Sequence, residues 1–140
     1  MQTVIVDHNF TQPPDRVFAY LAEHEHLGPL FDAKITRLSD GDDGTRNGPG
    51  SAREMKIGPL PAWVETTTEV VPNELIRYRI TKGSPLRDHE GVMRFSPTAS
   101  GGTHLHYEIR FRGVLPGLDR VVATMLRRTV PRGLETVPEA

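Results

Sequence analysis

The sequence contains no cysteine, which excludes disulfide bonds and a thiol nucleophile. Proteins of a reducing compartment commonly lack disulfides, and we expect a cytoplasmic location. Long apolar runs are also lacking, because no stretch approaches the roughly 20 residues that a membrane-spanning helix needs. The first seven residues do not have the basic-then-apolar order of a secretion signal. We therefore expect no membrane span.

An excess of charge of one sign is lacking as well. The sequence has 17 Lys and Arg residues against 18 Asp and Glu residues, and no acidic or basic block stands out. A nucleic-acid partner is therefore not supported, since such proteins carry a basic patch or stripe. Hydrophobic residues make up 36% of the 140 residues, which is slightly lean and fits a sheet with one solvated face. We expect a single domain over residues 1–140.

The sequence is rich in alternating apolar residues. Along residues 3–10, Val4, Val6, His8 and Phe10 share one face, which predicts a strand. Similar patterns predict six further strands, at residues 31–38, 51–57, 63–71, 74–82, 87–96 and 103–112. Consecutive strands with short turns predict an antiparallel meander.

Two short helical segments are predicted after the first strand. Pro13 and Pro14 stop that strand, because proline lacks the ladder N–H, and Asp15 favours a helix start. A second helical turn is predicted at residues 23–27, ended by Gly28-Pro29.

One amphipathic helix closes the sequence. It begins near Pro116, and Pro131 and Gly133 should kink or end it. Only this helix is long enough to cover the inner face of the sheet. We therefore predict an α+β fold, with a curved antiparallel sheet of about seven strands, two short helices after strand 1, and a long C-terminal helix over an internal cavity.

Four segments carry a resemblance to a known family. They are residues 10–18 (FTQPPDRVF), 68–78 (TEVVPNELIRY), 91–97 (GVMRFSP) and 102–107 (GTHLHY). With the element order, they resemble the START-like, or SRPBCC, superfamily of polyketide cyclase/dehydrase and lipid transport proteins, and most of all its small bacterial polyketide cyclase group. The resemblance implies the helix-grip fold. It implies no single function, because members include cyclases, aromatases, lipid carriers, hormone receptors and chaperone co-activators.

The inward-facing side chains predict a mainly apolar cavity. The candidate ligand-binding residues are Arg53, Met55, Trp63, Glu65, Tyr78, His89, Met93, Tyr107, Val122 and Met125. Apolar walls with a few polar groups are typical of a small-molecule pocket. Arg53 and Glu65 could meet across an antiparallel strand pair, where a ligand carbonyl or hydroxyl could help to fill their hydrogen bonds.

Interpretations of these residues without a binding or catalytic role stay open. A bulge would flip the strands that carry Arg53 and Glu65 and leave the two as a solvent-facing cross-strand pair. An inward histidine such as His89 is more often a core residue than a catalyst. Tyr78 and Tyr107 are as compatible with packing as with ligand contact.

Two histidine-rich segments are weak metal-site candidates. His104, His106 and Glu108 alternate on the outward face without a recognised ligand spacing, and a solvated face explains them better. Residues 23–26 (EHEH) favour a polar helical turn. We expect no metal and no cofactor.

Binding of a small apolar or aromatic metabolite, as carrier or sensor, is the leading functional interpretation. The alternative is a cyclase, aromatase or dehydratase acting on a polyketide-like substrate. In that enzyme His89 would be the acid or base, and Arg53 or Tyr78 would stabilise a developing enolate.

A third interpretation is a protein-interaction module of the co-chaperone or antitoxin type. It requires an exposed apolar patch, which the Leu60/Trp63 hairpin or the segment Val114-Leu115 could supply. The oligomeric state stays open, a homodimer included.

Overall fold

A computed structural model describes residues 1–139. Seven strands and three α-helices follow one another along the chain. They are β1 (Gln2–Phe10), α1 (Pro14–Ala22), α2 (Gly28–Phe31), β2 (Ala33–Ser39), β3 (Ala52–Ile57), β4 (Trp63–Val71), β5 (Leu75–Lys82), β6 (Leu86–Pro97), β7 (Thr103–Gly113) and α3 (Leu118–Leu134). A 3₁₀ turn, His24–His26, lies between α1 and α2.

All seven strands form one antiparallel sheet in the order β1-β7-β6-β5-β4-β3-β2. Consecutive strands from β2 to β7 are neighbours, while the first strand pairs with the last, with Val6 opposite Tyr107. Together with α3, this arrangement is the helix-grip fold that the sequence predicted. The strand faces alternate between buried and exposed residues, so the core lies between the inner face of the sheet and the helices.

The prediction for residues 28–31 was wrong. Gly28-Pro29 was expected to end a helical turn and residue 31 to begin a strand, but residues 28–31 form α2 and β2 begins at Ala33. Proline fits the first turn of a helix, where its missing N–H has no partner to lose. Asp32 then ends α2 in the left-handed region, with φ of 50°.

The closing helix continues through Pro131 and ends at Leu134, so Pro131 does not end it. Gly133 has a packing role: a Cβ there would lie 2.4 Å from Leu30 Cα. The backbones of α2 and α3 can therefore approach only because this position lacks a side chain.

Strand β6 carries a bulge that matters for the site. Its register against β7 shifts between Arg87 and Glu90, and Asp88 has a φ of 53°. The extra residue keeps His89 on the inner side of the sheet, together with the buried Gly91.

Candidate functional site

A buried ion pair lies at the centre of the inner face. Arg53 on β3 and Glu65 on β4 are directly opposite each other, and Arg53 Nη2 donates to Glu65 Oε1 at 2.7 Å. The two residues are only 2% and 3% exposed, so the predicted inward orientation is the one found. Trp63 Nε1 donates to Glu65 Oε2 at 3.1 Å, and the Arg53 guanidinium lies 4.7 Å from the centre of the Tyr78 ring. Both carboxylate oxygens therefore already accept a hydrogen bond.

Two phenols extend this buried polar cluster. The hydroxyl groups of Tyr78 and Tyr107 are hydrogen-bonded to each other, and both residues are 1% exposed. Tyr78 lies opposite Gly91 on β6, where a Cβ would come within 2.2 Å of the Tyr78 ring. Burial raises the pKa of both phenols, so each keeps its hydroxyl hydrogen at neutral pH. The pair thus has two hydroxyl hydrogens and one shared hydrogen bond.

His89 has a defined tautomer. The ladder between β5 and β6 stops after Tyr78 and Gly91, and the N–H of Ile80, two residues further along β5, donates to His89 Nδ1 at 3.0 Å. Since Nδ1 accepts this bond, the neutral ring carries its hydrogen on Nε2. Burial lowers the pKa of His89; the negative charge of Glu65 offsets part of this effect, and the positive charge of Arg53 adds to the lowering. The imidazole is therefore neutral at pH 7 and acts as a hydrogen-bond donor through Nε2.

The enclosed space beside this cluster, here the interior void, is small. It has a volume of about 20 Å³ and is lined by Phe31, Met55, Ile57, Trp63, Glu65, Tyr78, Leu86, His89, Ile109, Phe111, Val122 and Leu126. A space of this size holds about one water molecule. The expectation of a ligand-sized cavity is corrected here: the large side chains of the sheet and of α3 fill the interior in this conformation.

A larger opening, here the mouth groove, lies where α3 passes the turn between β3 and β4. Its volume is about 290 Å³, and it is lined by Asp32, Ile57, Gly58, Pro59, Leu60, Leu118, Val121, Val122, Met125 and Thr129. Its walls are almost wholly apolar. Ile57 and Val122 line both the mouth groove and the interior void, so the two spaces meet at these side chains.

The structure divides the ten predicted ligand-binding residues into three sets. Met55, Trp63, Glu65, Tyr78, His89 and Val122 line the interior void, and Val122 and Met125 line the mouth groove. Arg53, Met93 and Tyr107 are buried in the core behind these surfaces.

His24 is a buried residue that sequence reasoning missed. The segment of residues 23–26 was expected to be a polar turn, but His24 is 1% exposed and its Nε2 lies 3.0 Å from Ser51 Oγ. Ser51 Oγ donates to the Gly48 carbonyl, so His24 Nε2–H is the donor to Ser51. Burial, then the positive charge of Arg53, lowers the pKa of His24 to about 3. The inward phase of the strand predicted at residues 51–57, which includes Ser51, was the only signal for this contact.

The other half of that segment forms a surface ion-pair cluster. Arg37 on β2 binds Glu23 at 2.7 Å and Glu25 at 2.9 Å, and Arg46 in the loop before β3 also binds Glu23. The cluster fastens the 3₁₀ turn to the loop between β2 and β3. Its role is therefore structural.

The outward histidines form a second surface cluster. Asp7 Oδ1 lies 3.0 Å from His104 Nε2 and 2.8 Å from His106 Nδ1. Within residues 1–139 no group of three or more His, Cys, Asp or Glu side chains is placed to hold a metal ion. In the same part of the chain, no helix is long and apolar enough to cross a membrane.

Comparison with solved structures places the fold in a class. A START superfamily protein from Mycobacterium smegmatis shares 14% identity with a TM-score of 0.77, covering 95% of this chain and 94% of that one. A protein from Thermus thermophilus shares 19% identity with a TM-score of 0.75, covering 96% and 92%. The Zhui aromatase/cyclase from a Streptomyces species shares 19% identity with a TM-score of 0.69, covering 96% and 87%. At these identities the similarity shows the fold alone.

The sequence itself gives the family. Residues 1–139 match the family described as polyketide cyclase / dehydrase and lipid transport, and the chain belongs to it. No curated protein matches the sequence.

Proposed function

We propose that this protein binds a small hydrophobic or aromatic molecule, polyketide-like or lipid-like, between its sheet and α3, as a carrier or sensor. The mouth groove carries this proposal. It is apolar, its volume of about 290 Å³ is close to the lower limit of small-molecule sites, and it shares Ile57 and Val122 with the lining of the interior void. A cytoplasmic location stays a prediction.

Binding requires α3 or the β3–β4 turn to move. The interior void holds about 20 Å³, so a ligand that reaches the buried polar cluster must displace Val122 or Ile57. Both lie at the ends of their elements, Ile57 in the last position of β3 and Val122 in the first turns of α3. Element ends open at lower cost than element centres, because fewer backbone hydrogen bonds hold them.

The enzyme alternative finds weaker support in the same residues. A general base needs a free lone pair facing the substrate, but His89 Nδ1 accepts from Ile80 and Nε2 carries a hydrogen. A general acid at Nε2 would have to become an imidazolate, whose formation is strongly disfavoured. Arg53 has its charge compensated by Glu65. The cluster is therefore better suited to hold a polar group than to transfer a proton.

The interaction-module alternative has one supporting observation. Leu115 and Val121 are 64% and 67% exposed, and Val114 is exposed beside them. Of the other segment considered, Trp63 is buried and Leu60 is partly buried. Val121 lines the mouth groove, where it also fits the rim of a ligand entrance.

Filling the junction between groove and void tests the proposal. Acetophenone, titrated into the protein and followed by ligand-observed NMR, should bind the wild type. Val122→Trp should weaken binding at least about tenfold, because the indole occupies the route inward. Thr124→Trp, on an exposed position of α3 outside the groove, is the matched control and should bind as the wild type does. Absence of binding to the wild type, or equal loss in both variants, contradicts the proposal.

A further inference from the structure

The polar groups that line the interior void differ in how much hydrogen-bonding capacity they have left. Four polar residues line it: Trp63, Glu65, Tyr78 and His89. The Trp63 N–H is used by Glu65, and the two Glu65 oxygens accept from Trp63 and Arg53. What remains unused is therefore on Tyr78 and His89.

Both remaining groups offer hydrogens. Nδ1 of His89 accepts from the Ile80 N–H, so Nε2 carries a hydrogen, and no residue from 1 to 139 accepts it. Tyr78 and Tyr107 have two hydroxyl hydrogens and use one between them. Tyr78 is buried and His89 is half-buried, and the partner of a free hydrogen on either group is an acceptor.

The bulge in β6 makes the His89 tautomer a property of the backbone. An Ile80 N–H can only donate, and β6 has left β5 at this point, so the imidazole replaces the missing carbonyl of the ladder. The reverse tautomer would set two N–H groups against each other. The orientation of the His89 donor is thus built in before any ligand arrives.

The electrostatics of the cluster exclude an ionised ligand group. The one positive and one negative charge at the inner face, on Arg53 and Glu65, are 2.7 Å apart and compensate each other. A ligand charge would be buried without a counter-charge, which is costly.

From this inventory we infer that the interior selects a neutral ligand with a carbonyl oxygen, and that the Nε2–H of His89 is the specificity-determining donor to that oxygen. The inference rests on the proposed function and names the ligand class for the same site. An aromatic ligand with only a hydroxyl group lacks an oxygen that solely accepts hydrogen bonds. A cationic aromatic ligand brings a charge for which the site has no counter-charge.

A ligand pair tests the inference. Acetophenone has a carbonyl oxygen, and ethylbenzene has nearly the same shape without one. The ratio of their affinities in the wild type is compared with the ratio in His89→Leu, so that their different hydrophobicity cancels. We expect the variant to lower the acetophenone preference about three- to tenfold, the range of one hydrogen bond. A ratio that changes less than about twofold overturns the inference while the proposed function stands.

The wild-type protein supplies a second readout if His89→Leu does not fold. In ¹⁵N NMR spectra of the histidine side chains, the His89 ring should show a protonated Nε2 without ligand. Acetophenone should shift the Nε2 signal, and ethylbenzene should leave it in place. Equal shifts with both ligands, or a protonated Nδ1, contradict the role of His89. Failure of both ligands to bind overturns the proposed function and the inference together.

Discussion

The interior void and the mouth groove share two side chains but differ in almost every other respect. The void is about 20 Å³, lies beside an ion pair, two phenols and an imidazole, and is closed by packing. The groove is about 290 Å³, is almost wholly apolar and is open to solvent. The difference separates two tasks: the groove can attract an apolar body by burying its surface, while the void holds oriented polar groups that only a suitable ligand can use. A set of substitutions can test this division, because the void should be sensitive to small changes and the groove tolerant of them.

The largest effect is expected from breaking the ion pair. Glu65→Leu leaves the Arg53 charge buried at 2% exposure without a partner, and we expect a loss of about 3–5 kcal/mol in the free energy of unfolding. Chemical denaturation measures it. The double variant Arg53→Met/Glu65→Leu is the matched control and should recover most of the loss, because it buries no charge. If Glu65→Leu lowered the free energy of unfolding less than the double variant does, the two charges would not compensate each other as described.

A single methyl group at Gly91 should also destabilise the interior. Gly91→Ala sets a Cβ within 2.2 Å of the Tyr78 ring, and overpacking of this kind costs about 1–3 kcal/mol. Denaturation of Gly91→Ala alone, and again in a Tyr78→Ala background, separates the clash from the backbone effect. The cost should nearly vanish in the Tyr78→Ala background. An equal cost in both backgrounds would mean that the ring is not the obstacle.

Mild acid should lower the free energy of unfolding through His24, which is buried against Ser51. The pKa of His24 is lowered from 6.5 to about 3 by burial, so the unfolded chain binds a proton that the folded one refuses. Stability is complete above about pH 6.5 and falls as the pH drops toward 3, by about 1–2 kcal/mol between about pH 7 and about pH 5. The lowered pKa of His89 acts in the same direction.

Denaturation at several pH values measures this loss, with His24→Gln as the control. Glu25 has a pKa that is lowered from 4.5 to about 2, so it affects the pH dependence of stability only below about pH 4.5. The control should therefore show a clearly flatter dependence above about pH 5. An unchanged slope in His24→Gln would assign the acid sensitivity to other groups.

The smallest effect on stability is expected in the mouth groove. Val121 is 67% exposed, so Val121→Ser should change the free energy of unfolding by no more than about 0.5 kcal/mol. Removing an apolar rim should still weaken acetophenone binding about two- to threefold. Arg128→Ser, exposed on α3 outside the groove, is the control for both measurements. If Val121→Ser lowered the stability without changing acetophenone binding, the groove would act as part of the packed core and the proposed difference between groove and void would be wrong.

The strands, and the side of the sheet on which their residues lie, could be predicted from the alternation of apolar and polar residues. Period-two patterns predicted all seven strands and the inward phase of Arg53, Glu65 and His89, because a half-buried sheet imposes that pattern on its residues. Local residue preferences predicted the ends of the helices less well, because tertiary contacts decide where those helices begin and end. Gly28-Pro29 reads as a terminator but begins α2, and Pro131 lies within the helix it was expected to break or kink.

The size of the interior was not predictable, because facing inward does not tell whether facing side chains leave space. Met55, Trp63 and Tyr78 reach far enough to close a hollow that the alternation alone suggests. The burial of His24 depends on its contact with Ser51, 27 residues away, which no local pattern encodes. The tautomer of His89 likewise depends on a bulge in β6 that periodicity does not show.

The methionine methyl groups offer the most direct test of the central claim, that a ligand passes from the mouth groove into the interior. The chain has four methionines, and they mark distinct places: Met125 the groove, Met55 the void, Met93 the core behind it and Met1 the exposed terminus. With ¹³C-methyl labelling, acetophenone should give intermolecular NOEs to both Met125 and Met55 and none to Met1. NOEs confined to Met125, with the Met55 signal unmoved at saturation, would contradict the claim and leave the interior as a closed core.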